Sequence, residues 1–302
     1  MHLVAVFLLS ALLPLSLSHG NDPLGWLYGR WSHKYSLASL QASSSGGECP
    51  EECDCPPTFP IAMYCDGRGL TAMPTIPSRI KYLYLQNNAI TTVPDAAMAN
   101  ATSLVWLMLH HNQLTSEGIG KKVFLKLEGL ERLYLQHNNL TSIPANLPRS
   151  LRDLRINHNK IEKIPDGLPE YLHQLYLEFN SIDSLPEGFL GRFTQLQYVR
   201  MAHNQLTDKG IPPNTFNVTG LVELDLSFNK LERIPSISTT LQHLYLQANQ
   251  IKEFTLGSFC SVVDVTNFSK LQTLRLDGNE ISRLDIPSES ALCLRQASSI
   301  EV

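Results

Sequence analysis

One eleven-residue pattern, Leu-x-x-Leu-x-Leu-x-x-Asn-x-Leu with conservative apolar exchanges, recurs nine times between Ile80 and Ile281. Its copies begin at Ile80, Leu104, Leu130, Leu151, Leu172, Leu196, Leu221, Leu241 and Leu271. Within each copy the Leu-x-Leu core alternates. Both leucines therefore fall on one face of a short strand and the residue between them on the other. The consensus asparagines, Asn88, Asn112, Asn138, Asn159, Asn180, Asn204, Asn229, Asn249 and Asn279, stand where the chain leaves the strand. An amide there can donate to and accept from the turning backbone, whose groups cost about 1–3 kcal/mol each when buried unpaired. One copy buries about five apolar side chains, worth roughly 8–12 kcal/mol. Ordering about twenty residues costs more than that. A copy is unstable alone, so the copies must stack and be capped.

The pattern is the leucine-rich repeat signature. It predicts a leucine-rich-repeat solenoid with a curved parallel β-sheet on the concave face and disulfide caps at both ends. Proline follows the apolar turn position at Val93-Pro94, Ile143-Pro144, Ile164-Pro165, Leu185-Pro186 and Ile234-Pro235. Lacking an N–H and resisting helix, it predicts turns, 3-10 and extended segments on the convex face. Successive consensus asparagines lie 24, 26, 21, 21, 24, 25, 20 and 30 residues apart. That is a long-long-short rhythm interrupted by one extra short step. The simplest account is that two long repeats are absent between Asn159 and Asn180.

The ends differ from the middle. Leu3 to Leu17 is uncharged and apolar, and Ser16-Leu17-Ser18 offers small residues for cleavage, so 1–18 is expected to be a signal peptide. The run is short of the ~20 residues that span a bilayer, and no later stretch approaches that length. No membrane insertion is expected, and the mature chain is expected to be secreted. A flexible tail is expected over 19–48, a cysteine-rich cap over 49–70, repeats over 71–256, and the last repeat with its cap over 257–302. The six cysteines, Cys49, Cys53, Cys55, Cys65, Cys260 and Cys293, cluster at the two ends. In a secreted chain they are expected to form disulfides, in any of fifteen connectivities. Zinc is disfavoured because Cys-x3-Cys-x-Cys-x9-Cys lacks paired Cys-x2-Cys knuckles.

The N-terminal cysteine cluster, the long-long-short rhythm and the 30-residue final repeat bracketed by Cys260 and Cys293 carry a resemblance. So do the segments ECPEECDCPPTFPIAMYCDGRGL (48–70) and FCSVVDVTNFSKLQTLRLDGNEI (259–281). Together they resemble the small leucine-rich proteoglycans of the keratan-sulfate class, over roughly residues 48–302. The resemblance implies an extracellular-matrix protein that binds fibrillar collagen, type I foremost, and regulates fibril assembly. It implies the pairs Cys49–Cys55, Cys53–Cys65 and Cys260–Cys293. An alternative partner is a growth factor such as transforming growth factor beta, sequestered in solution. In this family RLDGNEI is associated with collagen contact, and Arg275 to Ile281 reproduces it, with Glu280 retained. Ser282 stands where a basic residue is expected, and Arg283 follows one step on. The family's acidic, tyrosine-rich tail is not matched: residues 19–47 hold only Tyr28 and Tyr35, beside Arg30, His33 and Lys34, so sulfation is not expected.

The residue between the two core leucines is expected on the solvated concave face: Tyr84, Met108, Tyr134, Arg155, Tyr176, Arg200, Asp225, Tyr245 and Arg275. Tyrosine and arginine anchor protein interfaces. The candidate collagen contacts are therefore Tyr134, Arg155, Tyr176, Arg200, Asp225, Tyr245, Arg275, Glu280 and Arg283. The plain alternative is cross-strand packing. Flanking positions (Tyr82, Trp106, Arg132, Asp153, Glu178, Tyr198, Glu223, Asp277) add charges of both signs, which suits a polar protein better than a polyanion. The net charge of −4 and the absence of a Lys/Arg block also speak against nucleic acid. Four sequons, at Asn100, Asn139, Asn217 and Asn267, are candidates for N-glycosylation and by resemblance for keratan sulfate. Ser45-Gly46-Gly47-Glu48 fits a flexible linker better than a glycosaminoglycan site. His111, His137, His158 and His203 each precede a consensus asparagine and should line one edge as a ladder. They are read as repeat-consensus polar residues, and no metal or cofactor is assigned. No hydrolase elbow, nucleotide loop or metalloprotease motif occurs, so no catalytic residues are assigned and an enzyme is not expected.

Overall fold

The computed structural model describes residues 48–302 except 263 and 265. The expected signal peptide, the linker-like Ser45–Gly47, Tyr28 and Tyr35, and the expected tail up to its last residue lie outside the described residues. Eleven three-residue strands form one sheet in chain order, every pairing parallel. They are β1 (Ala62–Tyr64), β2 (Tyr82–Tyr84), β3 (Trp106–Met108), β4 (Arg132–Tyr134), β5 (Asp153–Arg155) and β6 (Gln174–Tyr176). After them come β7 (Tyr198–Arg200), β8 (Glu223–Asp225), β9 (His243–Tyr245), β10 (Thr273–Arg275) and β11 (Ser299–Glu301). The sheet is two strands longer than the nine pattern copies. β1 belongs to the cysteine-rich cap, where Met63 pairs with Leu83 and takes the core-leucine position. In β11, Ile300 does the same opposite Leu274.

From β2 to β10 the central apolar residue of each strand stacks on the next, from Leu83 through Leu107, Leu133, Leu154, Leu175, Val199, Leu224 and Leu244 to Leu274, all wholly buried. The convex side is made of turns and short 3-10 segments, among them Asp95–Met98, Leu190–Arg192, Asp208–Gly210 and Leu256–Ser258. Among the described residues the one α-helix, α1 (Ser290–Cys293), lies in the C-terminal cap. The disulfides join Cys49 to Cys55, Cys53 to Cys65, and Cys260 to Cys293, the pairs that the resemblance implies.

Each consensus asparagine stitches two repeats together. Asn112 donates through Nδ2 to its own Leu109 carbonyl (3.1 Å) and to Leu85 of the preceding repeat (2.9 Å), while its Oδ1 accepts from Ile90 N–H (3.0 Å). The residue just before that asparagine always has positive φ: Asn87, His111, His137, His158, Phe179, His203, Phe228 and Ala248 at 53–58°, and Gly278 at 74°. The turn therefore demands a left-handed residue once per repeat, which costs a side-chain-bearing residue roughly 1–2 kcal/mol. Stacking offsets part of that strain. His111, His137, His158, Phe179, His203 and Phe228 form one continuous face-to-face column with ring centroids 4.0–4.1 Å apart.

The irregular step in the repeat spacing leaves no irregularity in the fold. β5 pairs with β6 in the common register, Leu154 opposite Leu175. Asn180 bridges the junction as its counterparts do, donating to Ile156 O (3.2 Å) and accepting from Ile161 N–H (2.9 Å). His158 stacks on Phe179 across it.

Candidate functional site

Parallel register brings seven of the nine candidate contacts into one row along the concave face. Tyr134, Arg155, Tyr176, Arg200, Asp225, Tyr245 and Arg275 stand opposite one another on successive strands β4 to β10. Glu280 and Arg283 lie elsewhere, past the asparagine turn: both are exposed, and Arg283 opens a 3-10 turn, Arg283–Asp285.

From Tyr134 to Arg200, rings and guanidinium groups alternate along the row. The Arg155 guanidinium lies 4.4 Å from the Tyr134 ring centroid and 5.1 Å from that of Tyr176, and the Arg200 guanidinium lies 5.0 Å from the same Tyr176 ring. Each arginine also holds an acid: Arg155 contacts Asp153 (3.3 Å), Arg200 binds Glu223 (2.7 Å), and Arg275 binds Asp277 (2.9 Å) and Glu301 (3.0 Å). Packing between rings and carboxylates fixes long side chains that would otherwise lose rotamer freedom on binding. The row presents positioned cationic forks, phenol rings and carboxylates on a half-buried surface.

The N-terminal part of the column departs from expectation. Tyr84, Met108 and Tyr134 are buried, each at most 8% exposed, and pack with Tyr64, Tyr82 and Trp106. Bulky side chains set one strand apart on a sheet, about 4.8 Å, cover one another. Phe59 stacks on Tyr82 (5.6 Å), Tyr82 meets Trp106 edge-on (5.0 Å), and Arg132 lies 4.4 Å above Trp106. The face is thus aromatic towards its N-terminal end and charged from β5 onward. Tyr134 belongs to the scaffold, because its hydroxyl donates to Asp153 Oδ2 at 2.7 Å and its ring lies under Arg155.

One contributor escaped the sequence reading beyond its membership of a flanking column. Glu178 follows the second core leucine of its repeat, and its Oε2 is buried with no protein hydrogen-bond partner. Burial raises its carboxyl to about 7. Gln86, His110, Gln136 and Gln247, at the equivalent position, likewise bury a polar atom without a protein partner. Burial also lowers the His110 imidazole to about 4, and raises the Asp225 carboxyl despite bonds from Ser227. The signal was the recurrence of a long polar residue at that position, which carries no hint of burial in sequence. Phe179 and Phe228 were missed for a related reason: the ladder was read from its histidines, whereas the turn accepts any flat ring.

A parallel, disulfide-capped solenoid with this repeat defines a leucine-rich-repeat protein. Residues 48–80 match the family described as "Leucine rich repeat N-terminal domain", and 129–149 match "Leucine Rich Repeat". The chain is 49% identical to bovine fibromodulin over 84% of its length and 80% of the relative's, and 48% identical to human fibromodulin with the same coverage. Human lumican is 40% identical over 85% of this chain and 90% of its own. The chain belongs to the small leucine-rich proteoglycan family, whose members are extracellular-matrix proteins rather than enzymes. Among solved structures, the octameric complex of Latrophilin 3, Unc5D and FLRT2 superposes with a TM-score of 0.62 at 24% identity, covering 84% of this chain and 92% of the other. The functional domain of InlJ from Listeria monocytogenes does so at 0.60 and 19%, covering 78% and 47%. Both likenesses speak to the fold alone. The bovine alignment runs over 302 positions but uses 84% of this 302-residue chain, about 254 residues, leaving about 48 positions of the relative without a counterpart. Two long repeats have that length.

Proposed function

We propose that the protein is secreted into the extracellular matrix, binds fibrillar collagen through its concave face and regulates collagen fibril assembly. The observation that carries this reading is the alternating row Tyr134–Arg155–Tyr176–Arg200. Collagen chains are polyproline-II-like and lack internal hydrogen bonds. They offer outward carbonyls and side chains to guanidinium forks, and pyrrolidine rings to phenol faces. Fixed donors beside fixed acids match a triple helix carrying both charges better than a uniform polyanion. In this reading Arg155, Tyr176, Arg200, Asp225, Tyr245 and Arg275 make the contacts, Tyr134 supports them from below, and Glu280 and Arg283 form a separate exposed patch. Asn100, Asn139, Asn217 and Asn267 are proposed to carry N-glycans.

The test is collagen I fibrillogenesis followed by turbidity, with and without the disulfide-intact protein, alongside cosedimentation. Delayed or altered assembly with protein in the pellet is expected. Arg200→Ala is expected to weaken cosedimentation by about fivefold, the equivalent of about 1 kcal/mol from one cation–π and charge contact. A folded sample that neither pellets nor changes turbidity moves the function to a soluble ligand such as a growth factor.

A further inference from the structure

The four sequons are not equivalent in the folded chain. All four asparagines are exposed, and so are the hydroxyl residues Thr102, Thr141 and Thr219 of the first three. In the fourth, Asn267-Phe268-Ser269, the serine is wholly buried. Its Oγ accepts from Leu271 N–H (3.2 Å), and its own N–H donates to the carbonyl of Cys293 (2.8 Å), the residue that closes the ring with Cys260. The Arg295 guanidinium covers Phe268 at 3.4 Å. The Asn267 amide already donates to Asp264 Oδ2 (2.6 Å), and the backbone N–H groups of Thr266 and Asn267 are drawn to Asp264 as well. Residues 293–295 thus lie over the sequon, and the disulfide fixes them there.

In N-glycosylation the asparagine amide nitrogen bonds to the anomeric carbon of a polyprenyl-diphosphate-linked oligosaccharide. The anomeric carbon–oxygen bond breaks, the diphosphate leaves with the electron pair, and the nitrogen gives up one proton. The transferring enzyme must hold the asparagine and the hydroxyl residue two positions on at the same time, in an extended segment. Asn267 with Ser269 buried cannot be held so.

We infer that Asn267 receives its glycan only before the C-terminal cap closes, so that cap closure and sugar transfer compete for one segment. The first three sequons keep both asparagine and threonine exposed in the folded chain, and none of them lies under the C-terminal cap, so their occupancy is independent of its closure. A chain whose cap closes early leaves the secretory pathway with three glycans, and one whose cap closes late leaves with four. Disulfide formation thereby sets glycan number at the end of the solenoid. This inference rests on the secretory reading above.

The experiment expresses the full chain in eukaryotic secretory cells and measures occupancy at each asparagine by mass spectrometry of glycopeptides. Closure is delayed in two independent ways, by Cys293→Ser and by brief dithiothreitol treatment of cells making the unaltered chain. The second needs no variant to fold. The expected result is partial occupancy at Asn267, rising at least about twofold in both arms, with Asn100, Asn139 and Asn217 unchanged. Full occupancy at Asn267 in the untreated chain overturns the inference, as does low occupancy that delayed closure does not raise. Glycans at none of the four overturn it together with the secretory reading, whereas glycans at the first three keep that reading standing whatever Asn267 does.

Discussion

The hydroxyl of Tyr134 donates to the carboxylate of Asp153 at 2.7 Å, from a ring that lies beneath Arg155. Burial, and then the negative charge of Asp153, push this phenol well above the ordinary tyrosine range, so it stays a donor at any pH the protein meets. A residue that looked in sequence like an exposed anchor therefore works as the support of one. Tyr134→Phe keeps the ring and removes the donor. The expected loss is about 1–2 kcal/mol, because Asp153 is buried and keeps Arg155 alone. Thermal unfolding should show it, while collagen cosedimentation should stay within twofold of the parent; a collapse of binding with unchanged stability would place Tyr134 in the contact surface.

Glu178 gives the concave face a pH dependence of known sign. Its carboxyl is raised from an ordinary 4.5 to about 7, first by burial, so the fold favours the protonated form. That contribution is complete below about pH 4.5 and is lost as pH rises towards 7. His110, lowered to about 4 by burial, works the other way: its contribution is complete above about 6.5 and is lost as pH falls towards 4. Glu178→Gln imitates the protonated acid at every pH. The variant should match the parent near pH 4 and exceed it above pH 7 by about 2–3 kcal/mol, the shift converted at 1.36 kcal/mol per pH unit and discounted for partial exposure. Melting temperatures measured from pH 4 to 8 check this, and a difference that stays flat across the range would count against it.

Ala248 occupies the left-handed turn position without a ring to stack, at φ 53°. The next repeat uses Gly278 there. Ala248→Gly should raise stability by roughly 0.5–1 kcal/mol, because the relief of strain exceeds the added freedom of the unfolded chain. Ala202, buried and outside the positive-φ column, is the control: Ala202→Gly should lower stability. Chemical denaturation of both variants decides the matter, and equal signs would refute the turn argument.

The sheet, its register and the turning asparagines were legible because a repeat writes the same physical requirement many times over. Leu154 and Leu175 could be placed opposite each other before any coordinate was known. The cap strands were less legible: Met63 and Ile300 hold core positions without the surrounding leucines and asparagine that announce the others. Exposure was the least legible property. Sequence alternation says which face Tyr84, Tyr134 and Tyr176 share, but only the crowding of neighbours decides that Tyr84 and Tyr134 are covered and Tyr176 half-open. The same holds for Ser269, an ordinary sequon serine until the segment carrying Cys293 settles over it.

The undisturbed junction between β5 and β6 keeps register and the asparagine bridge across the irregular step, so the stack accommodates a change in the number of its rungs there. Because adjacent rungs meet through the same leucine stack and asparagine bridge, removing whole rungs should leave a continuous core between the caps. It shortens the distance between the two capped ends by about 4.8 Å per rung, or about 10 Å for two. Such a protein behaves as a ruler whose graduations can be cut out without breaking it. Two chains of this design with different numbers of rungs would hold their capped ends at different separations.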